Sequence, residues 1–228
     1  MKAPVTTGRA VDLTQTIENG MTVYIGDPTP RISSFKRLKK DGVNLSVMTL
    51  GSHTGTHVDA PRHYIRGGKG LDRLPIDDFV GEAAVLDFSG IRAGGEISAS
   101  DLEKRASEVR RGDIVLLYTG LSRRWGDPGA RRTITYLSGD AAGWLVGRGV
   151  RAVGIDYLSV EEFGAKVPAA HVTLLSHGIP IIESLSKNLS KLVGRRVLFL
   201  CLPIKIKGCD GGPARAIAYP LHGDGARG

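Results

Sequence analysis

Between Gly51 and His63 the chain reads Gly-Ser-His-Thr-Gly-Thr-His-Val-Asp-Ala-Pro-Arg-His, with His53, His57, Asp59 and His63 all at odd-numbered positions. Successive side chains of an extended strand point to opposite faces, so these four groups would project to one side together with Gly55 and Pro61. The segment is therefore predicted to run as a strand into a loop. Gly55 is expected to clear room between the two imidazoles, and Pro61 to end regular pairing just before His63. A helix would also pair His53 with His57 at i, i+4, but Gly55, the β-branched Thr54, Thr56 and Val58, and Pro61 oppose one. Three of the six histidines of the chain fall in this one segment, which is too dense for scattered polar residues on a solvated loop. A metal platform is expected here.

Composition fits one catalytic domain over residues 1–228. The chain is 41% hydrophobic and 24% charged, enough for a sizeable core and unlike a disordered chain. The stretch Met1–Ala10 has no apolar centre that could serve as a signal peptide, and no run approaches the ~20 apolar residues of a membrane span. A cytoplasmic location is expected. Cys201 sits in the apolar run Val197–Leu202 and reads as a core residue, and Cys209 sits in a glycine-rich loop. Their spacing suits neither C-x-x-C chemistry nor a zinc–thiolate site. Net charge is +8, but the basic residues come as dispersed pairs such as Lys39-Lys40 and Arg195-Arg196, with 6% aromatics and no nucleic-acid module. Neither a nucleic-acid nor a membrane partner is expected.

Apolar runs predict strands at Val11–Thr14, Asn44–Leu50, Ala83–Phe88, Asp113–Tyr118, Val150–Ile155, Pro180–Glu183 and Arg196–Leu202. Helices are predicted from an N-cap at Ser100, over Ser138–Gly147 and over Pro168–Ser176. The class is α/β with a mixed sheet or barrel. Gly147-Arg-Gly149 follows a helix and precedes a strand, the reverse of a phosphate cradle, and reads as a helix end. Neither a P-loop nor a G-x-S-x-G nucleophile elbow is present.

Farther along the chain, His171 and His177 stand six residues apart, about 600° around a helix, so they cannot readily share one metal. His177, just before Gly178 and Pro180, reads as a helix end that interacts with the last carbonyls. Glu183 lies in the apolar segment Pro180–Leu185, where a carboxylate needs a partner or a cation. Asp156 follows the apolar run Ala152–Ile155, and turn capping explains it as well as chemistry does. His222, in the glycine-rich tail, reads as exposed.

The segment His53–His63 resembles the H-x-G-T-H-x-D-x-P-x-H signature of the metal-dependent cyclase family, which includes bacterial kynurenine formamidases and isatin hydrolases. Tyr24-Ile-Gly-Asp-Pro28 is similar to the aromatic-Pro-Gly-Asp segment of that family. Gly154–Ser159, His171, Glu183 and Lys205–Arg215 resemble its later landmarks in the same order, so the similarity spans nearly the whole chain. It implies a swivelling β/β/α domain with a mixed β-barrel-like sheet, and a homo-oligomer, a dimer or higher. It also implies that His53, His57 and Asp59 hold a first divalent metal, with Asp59, His171 and Glu183 building a second position. Zinc is the first expectation and manganese the second, since two carboxylates beside three imidazoles suit both.

The chemistry expected is hydrolysis of a small-molecule amide by metal-activated water, with His63, past the ligand run, moving protons. N-formylkynurenine, an intermediate of tryptophan catabolism, is the first expected substrate and a cyclic amide such as isatin the second. Tyr24 is expected to offer a stacking surface to the substrate, although Tyr24-Ile25 departs from the Trp-Pro usual in kynurenine formamidases. A metal-stabilised binding protein without catalysis is the reading from another class.

Overall fold

The unbroken apolar runs form strands buried on both faces, as in Ile114–Tyr118 and Ala152–Ile155. The computed structural model describes residues 8–221; His222 and the first seven residues of the N-terminal stretch read above lie outside them. In chain order the strands are β1 (Val11–Asp12), β2 (Arg31–Lys36), β3 (Leu45–Thr49), β4 (His57–Asp59), β5 (Val80–Asp87), β6 (Glu96–Ile97), β7 (Ile114–Tyr118), β8 (Tyr136–Leu137), β9 (Ala152–Ile155), β10 (Ile181–Glu183), β11 (Arg196–Pro203) and β12 (Gly211–Pro220). The helices are α1 (Leu38–Asp41), α2 (Ala99–Glu103), α3 (Gly139–Arg148) and α4 (Ala169–Ser176).

The main sheet runs β1-β12-β11-β5-β7-β9-β10-β4, and β12 also pairs with β4, which closes seven strands into a mixed barrel with β1 outside the ring. Strands β5, β7, β9 and β10 are mutually parallel, while β11, β12 and β4 complete the ring antiparallel. Ala83, Val85, Ile114, Leu116, Val58, Ile182, Phe199 and Cys201 fill the barrel interior. The alternate residues Ala84, Leu86, Val115, Leu117, Val153, Ile155 and Ile181 form a second core with Leu102, Leu145, Ala170 and Leu174 of the helices. Burial of both faces is what continuous apolar runs in parallel strands require. Gly154 has to lack a side chain, because a Cβ there would lie 2.6 Å from Leu116 Cδ2 inside the barrel.

The helices follow their caps. Ser138 Oγ accepts the Ala141 amide at 3.0 Å, and Gly149 closes α3 in the left-handed region at φ 67°, as the Ser138 and Gly149 signals predict. For α2 the cap is Ser98 rather than Ser100: its hydroxyl accepts from Asp101 N, and Asp101 answers to the Ser98 amide, a capping box displaced by two residues from the expected start. Four strands carry no expectation from the sequence: β2, β12 and the two-residue β6 and β8, which pair with each other in parallel. β2 pairs with β3 in a separate exposed hairpin. β12 begins Gly-Gly-Pro, which reads as loop, yet that end forms the seam with β4.

Candidate active site

The site lies on the outer side of the barrel, between the β4–β10 pair and the start of α4. Val58 and Ile182 are cross-strand partners pointing into the barrel, so His57, Asp59 and Glu183 point outward toward the helices. The strand is only three residues long. His53 stands on the turn before it, where the Thr54 amide donates to Gly51 O at 3.2 Å. The expected single face from His53 to His63 is therefore corrected: His57 and Asp59 share a strand face, His53 folds back from a turn, and His63 ends a short 3₁₀ turn, Pro61–His63. Pro61 does end the strand pairing. Gly55 has a different role from the one expected. It adopts φ +65°, and a Cβ on it would meet Ile17 and Met21 at 3.2 and 3.3 Å rather than the imidazoles. Room beside His53 comes from Gly211 of β12, where a Cβ would lie 2.9 Å from His53 Cε1.

His57 Nδ1 donates to Gly55 O at 2.8 Å, so its Nε2 faces inward, 3.3 Å from Asp59 Oδ1 and 3.6 Å from Glu183 Oε2. His171 Nε2 lies 3.3 Å from Glu183 Oε1 and 3.6 Å from Asp59 Oδ2. His53 bridges Asp59 Oδ1 at 2.7 Å and Asp210 Oδ2 at 3.0 Å, and its ring lies 4.1 Å, centroid to centroid, from that of His63. His63 Nδ1 is 3.5 Å from Asp210 Oδ2. His53, His57, Asp59, His63, His171 and Glu183 thus come together. His177 caps α4 from the solvent side, its Nδ1 donating to Thr173 O at 2.8 Å.

Burial opposes charge throughout this cluster, and the ion pairs overrule it. Burial would lower His57, but the carboxylates of Asp59 and Glu183 push it up to about 10. His171 is held well above, and Asp59 well below, its ordinary range against the same desolvation. Glu183 is lowered as well, its neighbours His171 and His57 outweighing burial and repulsion from Asp59. His63 goes the other way, because burial lowers it and favours the neutral ring.

Two fully buried atoms, His57 Nε2 and Asp59 Oδ2, make no hydrogen bond and have only the longer charge contacts given above. Polar atoms at such depth without a hydrogen bond are costly, and both here are atoms that bind cations. His53, His57 and Asp59 offer ligand atoms within 4.8 Å of one another, as do Asp59, His63 and His171, and His53, His63 and Asp210. Neighbouring donors around an ion with ~2.0–2.1 Å bonds lie ~3–3.4 Å apart, close to the spacings seen here. The residues fit a divalent metal, and they take one only as the imidazoles release their protons.

A cleft of about 190 Å³ opens onto the cluster, with Tyr24, Tyr64 and Trp125 among its walls. Tyr24, expected to face a substrate, is one of the wall residues, its ring 5.6 Å from that of Phe163. Three neighbours carried no role in the sequence reading. Asp210 touches two of the imidazoles, and its only signal was its place in the Lys205–Arg215 landmark. Tyr64 stacks 4.6 Å from His171, and Glu161 Oε2 lies 3.3 Å from His171 Nδ1. Asp156 serves as a cap, accepting from the Thr119 and Gly120 amides and from the Thr119 and Ser122 hydroxyls. Cys209 lies beside the site, its Sγ 3.8 Å from Asp210 Oδ1.

The Cyclase family profile matches residues 11–162. The chain is 31% identical over 219 residues to the kynurenine formamidase of Bacillus mycoides, covering 94% of this chain and 99% of that one. It is 33% identical over 217 residues to the kynurenine formamidase of Bacillus cytotoxicus, covering 92% and 97%. Among solved structures it resembles a potential metal-dependent hydrolase with cyclase activity, with TM-score 0.79, 30% identity and coverage of 92% and 97%. Isatin hydrolase A from Labrenzia aggregata gives TM-score 0.83 at 26% identity, covering 92% and 93%.

Proposed function

This chain belongs to the Cyclase family, and on that premise we propose that it is a metal-dependent hydrolase of amide bonds, an arylformamidase that converts N-formylkynurenine to kynurenine and formate. The observation that carries the metal part is the pair of buried atoms without a hydrogen bond, His57 Nε2 and Asp59 Oδ2, in a nest of imidazoles and carboxylates. His53, His57 and Asp59 would hold one ion, and Asp59, His171 and Glu183 a second. Zinc is the first choice and manganese the alternative, with one or two ions per chain. A divalent ion supplies Lewis acidity, polarising the carbonyl and making water acidic enough to react near neutral pH.

The protein's own groups do the rest. His63, whose partial burial favours the neutral ring, takes a proton from the attacking water as the C–O bond forms. It returns that proton to the departing nitrogen as the C–N bond breaks. Asp210, 3.5 Å from Nδ1, orients the ring. Tyr24 and Tyr64, both on the cleft wall, offer faces to an aromatic substrate. A place in tryptophan catabolism and a homodimeric assembly come with this reading through the family resemblance, and a cytoplasmic location joins them from the sequence reading of Met1–Ala10.

Isatin or another cyclic amide is the second substrate reading, supported by the likeness to isatin hydrolase A. A non-catalytic metal-binding protein is disfavoured by His63, since binding alone needs no proton shuttle. Protein purified without added metal is expected to contain one to two divalent ions per chain and to cleave formyl anilides. Activity should cease on chelation and return with zinc or manganese; full activity in metal-free protein overturns the reading. Turnover of N-formylkynurenine at a far higher kcat/KM than isatin supports the first substrate, and the reverse order supports the second.

A further inference from the structure

Helix α4 begins without a cap of its own. Its N-cap position is Pro168, which has no side-chain acceptor, so the first amides of an eight-residue helix need a partner from elsewhere. Glu161, seven residues upstream of Pro168, supplies it: Oε2 accepts from the Ala170 amide at 3.1 Å and the His171 amide at 3.2 Å. The same oxygen lies 3.3 Å from His171 Nδ1. One carboxylate oxygen therefore fixes the helix start and the imidazole that the helix carries.

The residue before it fixes the other half of this position. The Val160 amide donates to Glu183 Oε1 at 2.8 Å, and that oxygen is the one 3.3 Å from His171 Nε2. The segment is itself held, because the Glu161 amide donates to Ser159 Oγ at 3.1 Å. Consecutive residues thus hold the His171 and Glu183 side chains, with Glu161 itself on the cleft wall.

We propose that Glu161 is a positioning residue for the second metal position: by accepting from Nδ1 it selects the His171 tautomer and ring orientation that aim Nε2 at Asp59 and Glu183. The inference rests on the metal-dependent reading above. A carboxylate behind a ligating imidazole fixes its orientation and raises its basicity, and losing one typically costs ~10–100-fold in metal affinity. Its second role, the helix cap, is separable because Pro168 is where an ordinary cap would stand. An aspartate there can accept from the same amides without reaching His171 Nδ1.

Zinc affinity, measured by competition with a chromophoric chelator, and the urea midpoint test this in four proteins: wild type, Glu161→Gln, Glu161→Ala, and Glu161→Ala with Pro168→Asp. Glu161→Ala should bind its weakest zinc ~10–100-fold less tightly and unfold at lower urea. The double variant should regain the urea midpoint without regaining the zinc affinity. Glu161→Gln, whose amide oxygen still accepts, should fall between wild type and Glu161→Ala. Recovery of affinity in the double variant would reduce Glu161 to a helix cap and overturn the proposal, as would unchanged affinity in Glu161→Ala. Wild-type protein that takes up no zinc overturns the metal-dependent reading and this inference together.

Discussion

His57 and Glu183 are direct cross-strand partners: antiparallel β4 and β10 pair them in register, with Nε2 and Oε2 3.6 Å apart. Partners in register share a face, so the sheet itself delivers an imidazole and a carboxylate to one point. Asp59, two residues along β4, joins them on that face, and His171 approaches from α4.

This arrangement separates the two histidines of the α4 region. His171→Ala and Asp59→Ala should each lose metal and amide hydrolysis together, because each removes a donor of the buried nest. His177→Ala should keep both and lose about 0.5–1 kcal/mol of stability through its contact with the last turn. Metal analysis and urea unfolding of the three variants check this. Metal lost from His177→Ala but retained in His171→Ala would reverse the assignment.

His63 should behave differently from the ligands. Replacing it with Asn is expected to lower kcat by ~10²–10⁴-fold while metal content stays at the wild-type level. The solution mass must be measured alongside, since disassembly would also abolish activity. Its ring lies among groups close enough to share an ion with Asp59 and His171, so loss of metal from His63→Asn would make it a ligand instead.

Much of this site was legible because its groups sit where local rules concentrate them. The His53–His63 signature, the apolar setting of Glu183 and the 600° separation of His171 from His177 each point to residues that the fold brings together or apart as expected. Glu161 and Asp210 were not legible. Glu161 acts across a loop on a helix whose own cap is missing, and nothing in Glu161-Glu162 distinguishes it from a solvated pair. Asp210 gains its partners only when the β12 seam closes against β4, where Gly211 pairs with Asp59, 152 residues earlier, which local periodicity cannot signal. Gly55 was misread for a related reason: its spacing suggested a strand, but its positive φ belongs to the turn that returns His53 to the site.

Away from the site, Asp101 makes stability depend on pH. The Ser98 hydroxyl, and after it the Lys104 ammonium, hold its carboxyl down to about 2 from 3.8. A folded-state value below the unfolded one stabilises fully above about pH 4, and that contribution is lost as pH falls toward about 2. The difference in urea midpoint between wild type and Asp101→Asn should therefore be greatest near neutral pH and shrink steadily below about pH 4. A difference that stays constant across that window would mean that the charge contributes nothing and that the neutral cap bonds carry α2.

Gly211 and Gly212 offer a test of the seam that separates packing from metal binding. They pair with Asp59 and Val58 respectively, so a side chain on Gly211 would point outward with the site, and one on Gly212 inward with the core. A Cβ on Gly211 would lie 2.8 Å from Val58 O and 2.9 Å from His53 Cε1, and one on Gly212 would lie 2.7 Å from Leu71 Cδ2. Both substitutions to alanine should destabilise the fold by ~1–3 kcal/mol through overpacking. Only Gly211→Ala pushes on His53, whose ring Asp59 and Asp210 already hold at 2.7 and 3.0 Å. It should therefore weaken zinc binding by ~10-fold or more, while Gly212→Ala binds as wild type does at a temperature where both are folded. Equal affinities in the two variants would show that His53 can swing aside without loss, and that the first metal position does not depend on its placement.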